Sequence, residues 1–142
     1  MKQIILLFTA LVLFVFSLAA QTKDKDLILK TLSNQQAAWN KGDIEGFMQG
    51  YWQSDSLMFI SKSGITYGWQ QTLNNYKKNY PDTAAMGKLA FDFIEIKRLS
   101  VSYFFVVGKW HLKRTIGNLD GAFTLLFRKI KNKWVIIRDH SS

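Results

Sequence analysis

Ala122-Phe123-Thr124-Leu125-Leu126-Phe127-Arg128-Lys129-Ile130-Lys131, followed beyond Asn132 by Trp134-Val135-Ile136-Ile137-Arg138-Asp139-His140, is the stretch that decides the fold. Phe123, Leu125 and Phe127 alternate with Thr124, Leu126 and Arg128, and Trp134 and Ile136 alternate with Val135 and Ile137. A period of two is the mark of a strand, and Asn132 suits a tight turn between two strands. Both faces of this pair are apolar near the middle. A sheet with one wetted face would alternate cleanly between apolar and polar, so each side of this one must be covered.

Working outward, the same period runs back to Gly87. Lys88 to Leu99 reads as one long strand and Val101 to Arg114 as another, with Ile116 to Gly121 as the turn before the third. Long neighbours joined by short connections make an antiparallel meander.

Before Gly87 the period is helical. Ile28, Leu32, Gln35 and Trp39 fall on one face of a helix over 25–41. Asp24 or Asp26 suits its amino end and Gly42 a left-handed carboxyl-terminal cap. Asp43 then caps a shorter helix whose buried face is Ile44, Phe47, Met48 and Tyr51. Leu57 to Ile60 is a short strand, Ser61 to Gly64 a turn, and Ile65 to Tyr67 pairs back. A third helix carries Trp69, Leu73, Tyr76 and Tyr80 on one face and ends at Pro81. The fold class is therefore α+β: three helices cover one side of an antiparallel sheet. A second copy of the chain is expected over much of the other side, because large exposed apolar patches are rare on monomers.

The chain has 142 residues, 48% of them hydrophobic and 15% aromatic, with one proline and no cysteine. That is one domain; it excludes disulfide scaffolds, thiolate metal sites and cysteine nucleophiles. Lys2, the apolar run from Ile4 to Phe16 and Ser17-Leu18-Ala19-Ala20 read as a secretory signal over 1–20, cleaved after Ala19 or Ala20. The rival reading, a retained anchor, needs a span of about 20 residues, longer than this run. Residues 21–142 are then the exported domain, in the periplasm or the medium, and membrane contact is not expected once the signal is gone. Residues 88–142 carry eleven basic and four acidic side chains, or +7. Such a field steers anions or marks a solvated basic face. No aromatic-plus-basic RNA-binding motif is present, so nucleic acid is not an expected partner.

Several pieces resemble the NTF2-like superfamily, in its SnoaL-like and DUF4440 branch. They are Trp39-Asn40-Lys41-Gly42-Asp43, Tyr67-Gly68-Trp69, Gly108-Lys109-Trp110-His111-Leu112, the run Phe123 to Lys129, and Lys133-Trp134 with Asp139-His140-Ser141-Ser142. The resemblance implies a cone-shaped, cystatin-like α+β fold, a deep pocket between helices and sheet, and a homodimer through the sheet. It does not fix an activity, since the superfamily includes isomerases, cyclases, dehydratases and members that only bind or assemble. Its epoxide hydrolases use an Asp-Arg-Asp constellation that this chain lacks.

Asp139, His140 and Asp92 are the candidates for proton chemistry. Neighbours on a strand face opposite ways, so Asp139 and His140 cannot share a pocket without a bulge. Counting by parity, His140 joins Trp134 and Ile136, whereas Asp139 joins Val135 and Ile137. Either one serves as a base, or the pair fastens the end of the strand. Asp92, between Phe91 and Phe93, is a proton carrier if it faces an apolar wall and a surface carboxylate if it faces out. Arg128 must pair with an acid, bind a ligand carboxylate or reach solvent, because a lone buried guanidinium is costly. Trp39, Tyr76 and Trp110 are the expected pocket liners alongside Arg128. The two histidines make no metal-ligand pair, and no phosphate loop or serine elbow is present, so neither metal nor cofactor is expected.

Three functions remain open. The first is a pocket for a small, mostly apolar molecule, with or without an acidic group. The second is a proton-transfer enzyme of isomerase, cyclase or dehydratase type using a pocket Asp or His. The third is an assembly or surface-binding module that works through the sheet and the +7 half.

Overall fold

A computed structural model describes residues 22–142. The signal expected over 1–20 lies outside the described residues. Helix α1 covers residues 22–40 and α2 Ile44–Met48; a hairpin of β1 (Met58–Ser61) and β2 (Gly64–Tyr67) follows. Next come α3 (Trp69–Asn79), a four-residue α4 (Thr83–Met86), and the long strands β3 (Lys88–Arg98), β4 (Tyr103–Lys113), β5 (Leu119–Ile130) and β6 (Lys133–Ser141). The six strands form one sheet in the order β2-β1-β6-β5-β4-β3. The α+β class and the helices-then-sheet order are as the periodicity implies.

Three details differ from the expectation. Helix α4 was not anticipated: Asp82 accepts from the Ala85 amide at 2.8 Å and nucleates one turn after Pro81. Strand β5 starts at Leu119 rather than Ala122, because Asn118 has already closed the turn by accepting from the Arg114 amide. The sheet is antiparallel except where β1 lies parallel to β6, a contact between segments too far apart for any local pattern to register.

The core lies between α1, α2, α3 and the inner face of the sheet. Ile28, Leu32, Gln35 and Trp39 are all almost fully buried, the stripe read from spacing. They meet Phe104, Val106, Leu112, Phe123, Leu125, Phe127, Trp134 and Ile136 from the strands. Gly42 adopts φ 81° and stops α1, and the Asp43 carboxylate accepts from the Gly46 amide at 2.7 Å to start α2.

Helix α1 is fastened at both ends. At its carboxyl end the Asn40 amide donates to the Leu89 carbonyl (3.0 Å) and accepts from the Leu89 N–H (2.6 Å), while Gln36 accepts from the Phe91 N–H (3.2 Å). These side chains occupy the open edge of β3, where a further strand would otherwise pair. At its amino end Asp24 is buried and accepts from Lys129 Nζ (3.0 Å) and Trp134 Nε1 (3.1 Å), with Arg98 at 4.0 Å. Burial disfavours its charge, but the hydrogen bonds and the two cations outweigh that and hold its pKa below the usual value.

Asp24→Ala should strand the Trp134 N–H and one ammonium and destabilise the fold by about 1–3 kcal/mol, read as a lower urea midpoint at pH 7. Because the folded pKa is depressed, the contribution is complete above the unfolded value of about 3.9 and is lost as pH falls through the folded one. The gap between wild type and variant should therefore close in acid; a gap of constant size would refute the pairing.

Candidate functional site

The cone encloses a cavity of about 440 Å³, within the size range of small-molecule pockets. Its walls are mostly hydrocarbon and aromatic. Trp39, Phe47, Phe59 and Tyr80 surround the Tyr76 ring, chiefly edge to face. Phe91, Phe123 and Leu125 come from the sheet. Exposed lining residues mark the mouth: Lys62 and Ser63 in the β1–β2 turn, Asn79 at the end of α3, Leu119 and Asp120 at the start of β5, and Ser142.

The polar centre is Asp139, only 4% exposed. A bulge places it there. Arg138 pairs with Leu126 but Ile136 pairs with Phe127, so Ile137 is an extra residue in β6. One extra residue reverses the parity of everything after it. Trp134 and Ile136 face inward before the bulge, and Asp139 and Ser141 line the cavity after it. His140 is exposed and lines no part of the cavity. The parity grouping of His140 with Trp134 is thus corrected. Ile136 and Ile137 are consecutive residues that are both buried, but the unbroken apolar run Trp134 to Ile137 does not show in the sequence which residue is the extra one.

Both carboxylate oxygens of Asp139 are engaged. The Tyr51 hydroxyl donates to one at 2.7 Å and the Ser141 hydroxyl to the other at 2.8 Å. Tyr51 is held by a backbone clamp on β6: the Trp52 amide donates to the Ile136 carbonyl and the Ile136 amide to the Gly50 carbonyl, each at 2.9 Å. Burial pushes the Asp139 pKa up to about 6, against the opposing hydrogen bonds from Tyr51 and Ser141 and the influence of His140. Burial first, and then the Asp139 charge, drives the Tyr51 and Tyr76 hydroxyls well above the ordinary tyrosine value. Both phenols therefore stay protonated donors beside a carboxyl group that takes up or releases a proton near neutrality.

The other expected site residues divide cleanly. Trp39, Tyr76 and Trp110 all line the cavity. The Trp39 indole N–H is committed to the Met86 carbonyl at 3.0 Å, whereas the buried Trp110 N–H has no hydrogen-bond partner among the described residues. The Trp110 ring lies against Gly121, where a Cβ would press on it. Arg128 is outside the pocket: it reaches solvent on the outer face, 5.8 Å over the Tyr103 ring. Asp92 is also outside, exposed and paired with His111 at 2.9 Å. An exposed strand position beside Lys109 on the neighbouring strand leaves the carboxylate solvated. Tyr51 and Ser141 were not singled out as site residues; the bulge turns Asp139 toward Tyr51, and Ser141, two positions on, shares the face of Asp139 in either register. Among the described residues no group of three His, Cys, Asp or Glu side chains could hold a metal.

No family profile matches the sequence, and no curated protein matches it. Solved structures do. An NTF-2 like protein of unknown function from Shewanella oneidensis is 50% identical, with a TM-score of 0.79 over 82% of this chain and 97% of that one. A nuclear transport factor 2 (NTF2-like) superfamily protein from Salmonella enterica is 19% identical, with a TM-score of 0.68 over 86% and 92%. A ketosteroid isomerase-like protein from Erwinia carotovora atroseptica is also 19% identical, with a TM-score of 0.63 over 82% and 93%. The last two share the fold.

The raised Asp139 pKa has a stability consequence of opposite sign to that of Asp24. Between about pH 4 and 6 the folded chain holds a proton that the unfolded chain has released, so stability falls as pH rises, by about 3 kcal/mol in all. Urea midpoints across that window should show the fall in wild type and lose it in Asp139→Asn. Equal slopes would mean that Asp139 titrates normally.

Proposed function

The chain belongs to the NTF2-like superfamily, and from that premise we propose that its cone receives one small, mostly apolar molecule, with or without an acidic group, whose polar end docks on Asp139, Tyr51 and Tyr76. The observation that carries this reading is the pairing of an apolar cavity of about 440 Å³ with a single buried carboxyl cluster. A cavity lined by hydrocarbon selects for apolar surface, and one fixed polar group sets orientation.

A second reading is proton transfer on the same ligand. It rests on Asp139 having a pKa of about 6 inside the cavity, close to where a general base works best. In that reading the Asp139 carboxylate takes a proton from the carbon beside a carbonyl group. Tyr76 donates a hydrogen bond to the enolate oxygen that forms, and the proton returns to the same carbon.

One probe separates the two. 2-Tetralone, a bicyclic ketone with labile α-protons, should raise the melting temperature more than tetralin, its hydrocarbon counterpart, and Tyr76→Phe should erase the difference. For the enzyme reading, α-proton exchange in D2O followed by NMR should exceed the buffer rate and slow by about 10²–10⁴-fold in Asp139→Asn. Binding without exchange removes the enzyme reading; no melting shift from either compound, or from a wider apolar set, sinks the pocket reading.

We also assign the outer face of the sheet to a second copy of the chain. Phe105, Val107, Leu126 and Val135 are half-buried there, and they lie on neighbouring central strands. Sedimentation at micromolar concentration should give a dimer that Leu126→Glu converts to monomer; a monomeric wild type would end this assignment.

A further inference from the structure

The two ends of the cone are chemically unlike. One is the mouth, formed where β1 and β6 end and β5 begins. The other gathers the amino end of α1, the β3–β4 turn (99–102) and the β5–β6 turn (131–132). Asp24 ties the three together through Arg98, Lys129 and Trp134, and the Lys129 amide donates to the Ser102 carbonyl at 2.9 Å.

That end is strongly basic. Lys23, Lys25, Lys97, Arg128, Lys131 and Lys133 are all exposed there. Arg98 and Lys129 add two more cations, but these are turned toward Asp24. The acids on or next to these segments are Asp24, which is buried and paired, Asp26, and exposed Glu95 two residues before Lys97. The sequence spreads these cations over more than a hundred residues, and only the fold brings them together.

Apolar side chains stand among the charges. Leu99 is 54% and Val101 73% exposed at the tip of the β3–β4 turn, and Leu27 on α1 is 38% exposed. Cations around protruding aliphatic side chains match the layered chemistry of a lipid surface, with phosphates outside and acyl chains beneath. A nucleic-acid surface would offer the charges but no place for Leu99 and Val101.

We propose that the basic end docks on an anionic phospholipid surface, with Leu99 and Val101 entering the interface and the pocket mouth turned away from it. This revises the expectation of no membrane contact, and it is independent of what the pocket binds.

The test uses the full chain and takes the ratio of its binding to vesicles containing about 30% phosphatidylglycerol over its binding to phosphatidylcholine vesicles; Lys2 and the apolar run are common to wild type and every variant, so a change in the ratio between them reports the basic end. The ratio should be high at about 50 mM salt and collapse near 500 mM, where the screening length is only a few ångströms. Lys131→Gln with Lys133→Gln should lower it about 25-fold, at roughly five-fold per cation. Leu99→Ser with Val101→Ser leaves the charge unaltered. It should weaken binding to phosphatidylglycerol vesicles by at least about ten-fold and leave any binding to a duplex DNA oligonucleotide unchanged. A ratio near one at low salt overturns the proposal. So does a serine variant that binds phosphatidylglycerol vesicles as wild type does, which would make the surface a general polyanion site.

Discussion

A single inserted residue, Ile137, governs what the pocket contains. Were Ile137 to take a regular place in the ladder instead of bulging out, β6 would run in strict alternation, and the inward positions after Ile136 would be Arg138 and His140. The cavity would then hold a guanidinium and an imidazole in place of the carboxyl group. With the bulge, the inward positions are Asp139 and Ser141, and Tyr51 meets a carboxylate at 2.7 Å. The bulge also adds local twist, and a second one in β3 between Phe93 and Glu95 bends the far side of the same sheet around the helices. Curvature and chemistry thus have a common origin.

The two buried aspartates show how context sets the behaviour of one residue type. Both lie almost fully out of water, and burial alone would raise both pKa values. Asp24 meets Lys129 and the edge of Arg98, so its charge is favoured and it behaves as a structural pin. Asp139 accepts its hydrogen bonds from the hydroxyl groups of Tyr51 and Ser141, which with His140 offset part of the penalty and leave its pKa near 6. A pinned carboxylate holds α1 on the closed end of the cone, and a titrating one faces the open cavity. If their partners were exchanged, the closed end would loosen in neutral solution and the pocket would hold a fixed ion pair.

The helical half was legible because its constraints are local. The stripe Ile28, Leu32, Gln35 and Trp39, the cap at Asp43 and the left-handed Gly42 each depend on residues within a turn or two. The meander was legible for the same reason, through period and turn chemistry. What spacing could not convey was anything set by register between distant segments. The parallel contact of β1 with β6, the Asn40 clamp on β3 and the basic end all join residues far apart in the chain. Asp139 was legible as a residue of interest but assigned by parity to the face of Val135, since counting by twos carries no information about an inserted residue. Arg128 shows the converse error: apolar neighbours in sequence suggested burial, yet its outer-face neighbours in space are Tyr103 and Val135, at a margin open to water.

On the proposed readings of the pocket and the basic end, the arrangement separates two tasks that would interfere if they shared a surface. A cavity that admits an apolar guest must open to the medium through which that guest arrives. A surface that engages lipid headgroups must be dry and covered while it does so. Here the strands run from one task to the other: β6 leaves the basic turn at Lys133 and reaches the cavity at Asp139 and Ser141. The length of the strands therefore sets how far the mouth stands from a docked surface, about 3.3 Å for each residue. With nine residues in β6, that distance is more than half the thickness of a bilayer. A guest held at Asp139 would lie well clear of the headgroups, so a chain docked by its basic end would exchange its guest with water and not directly with the lipid.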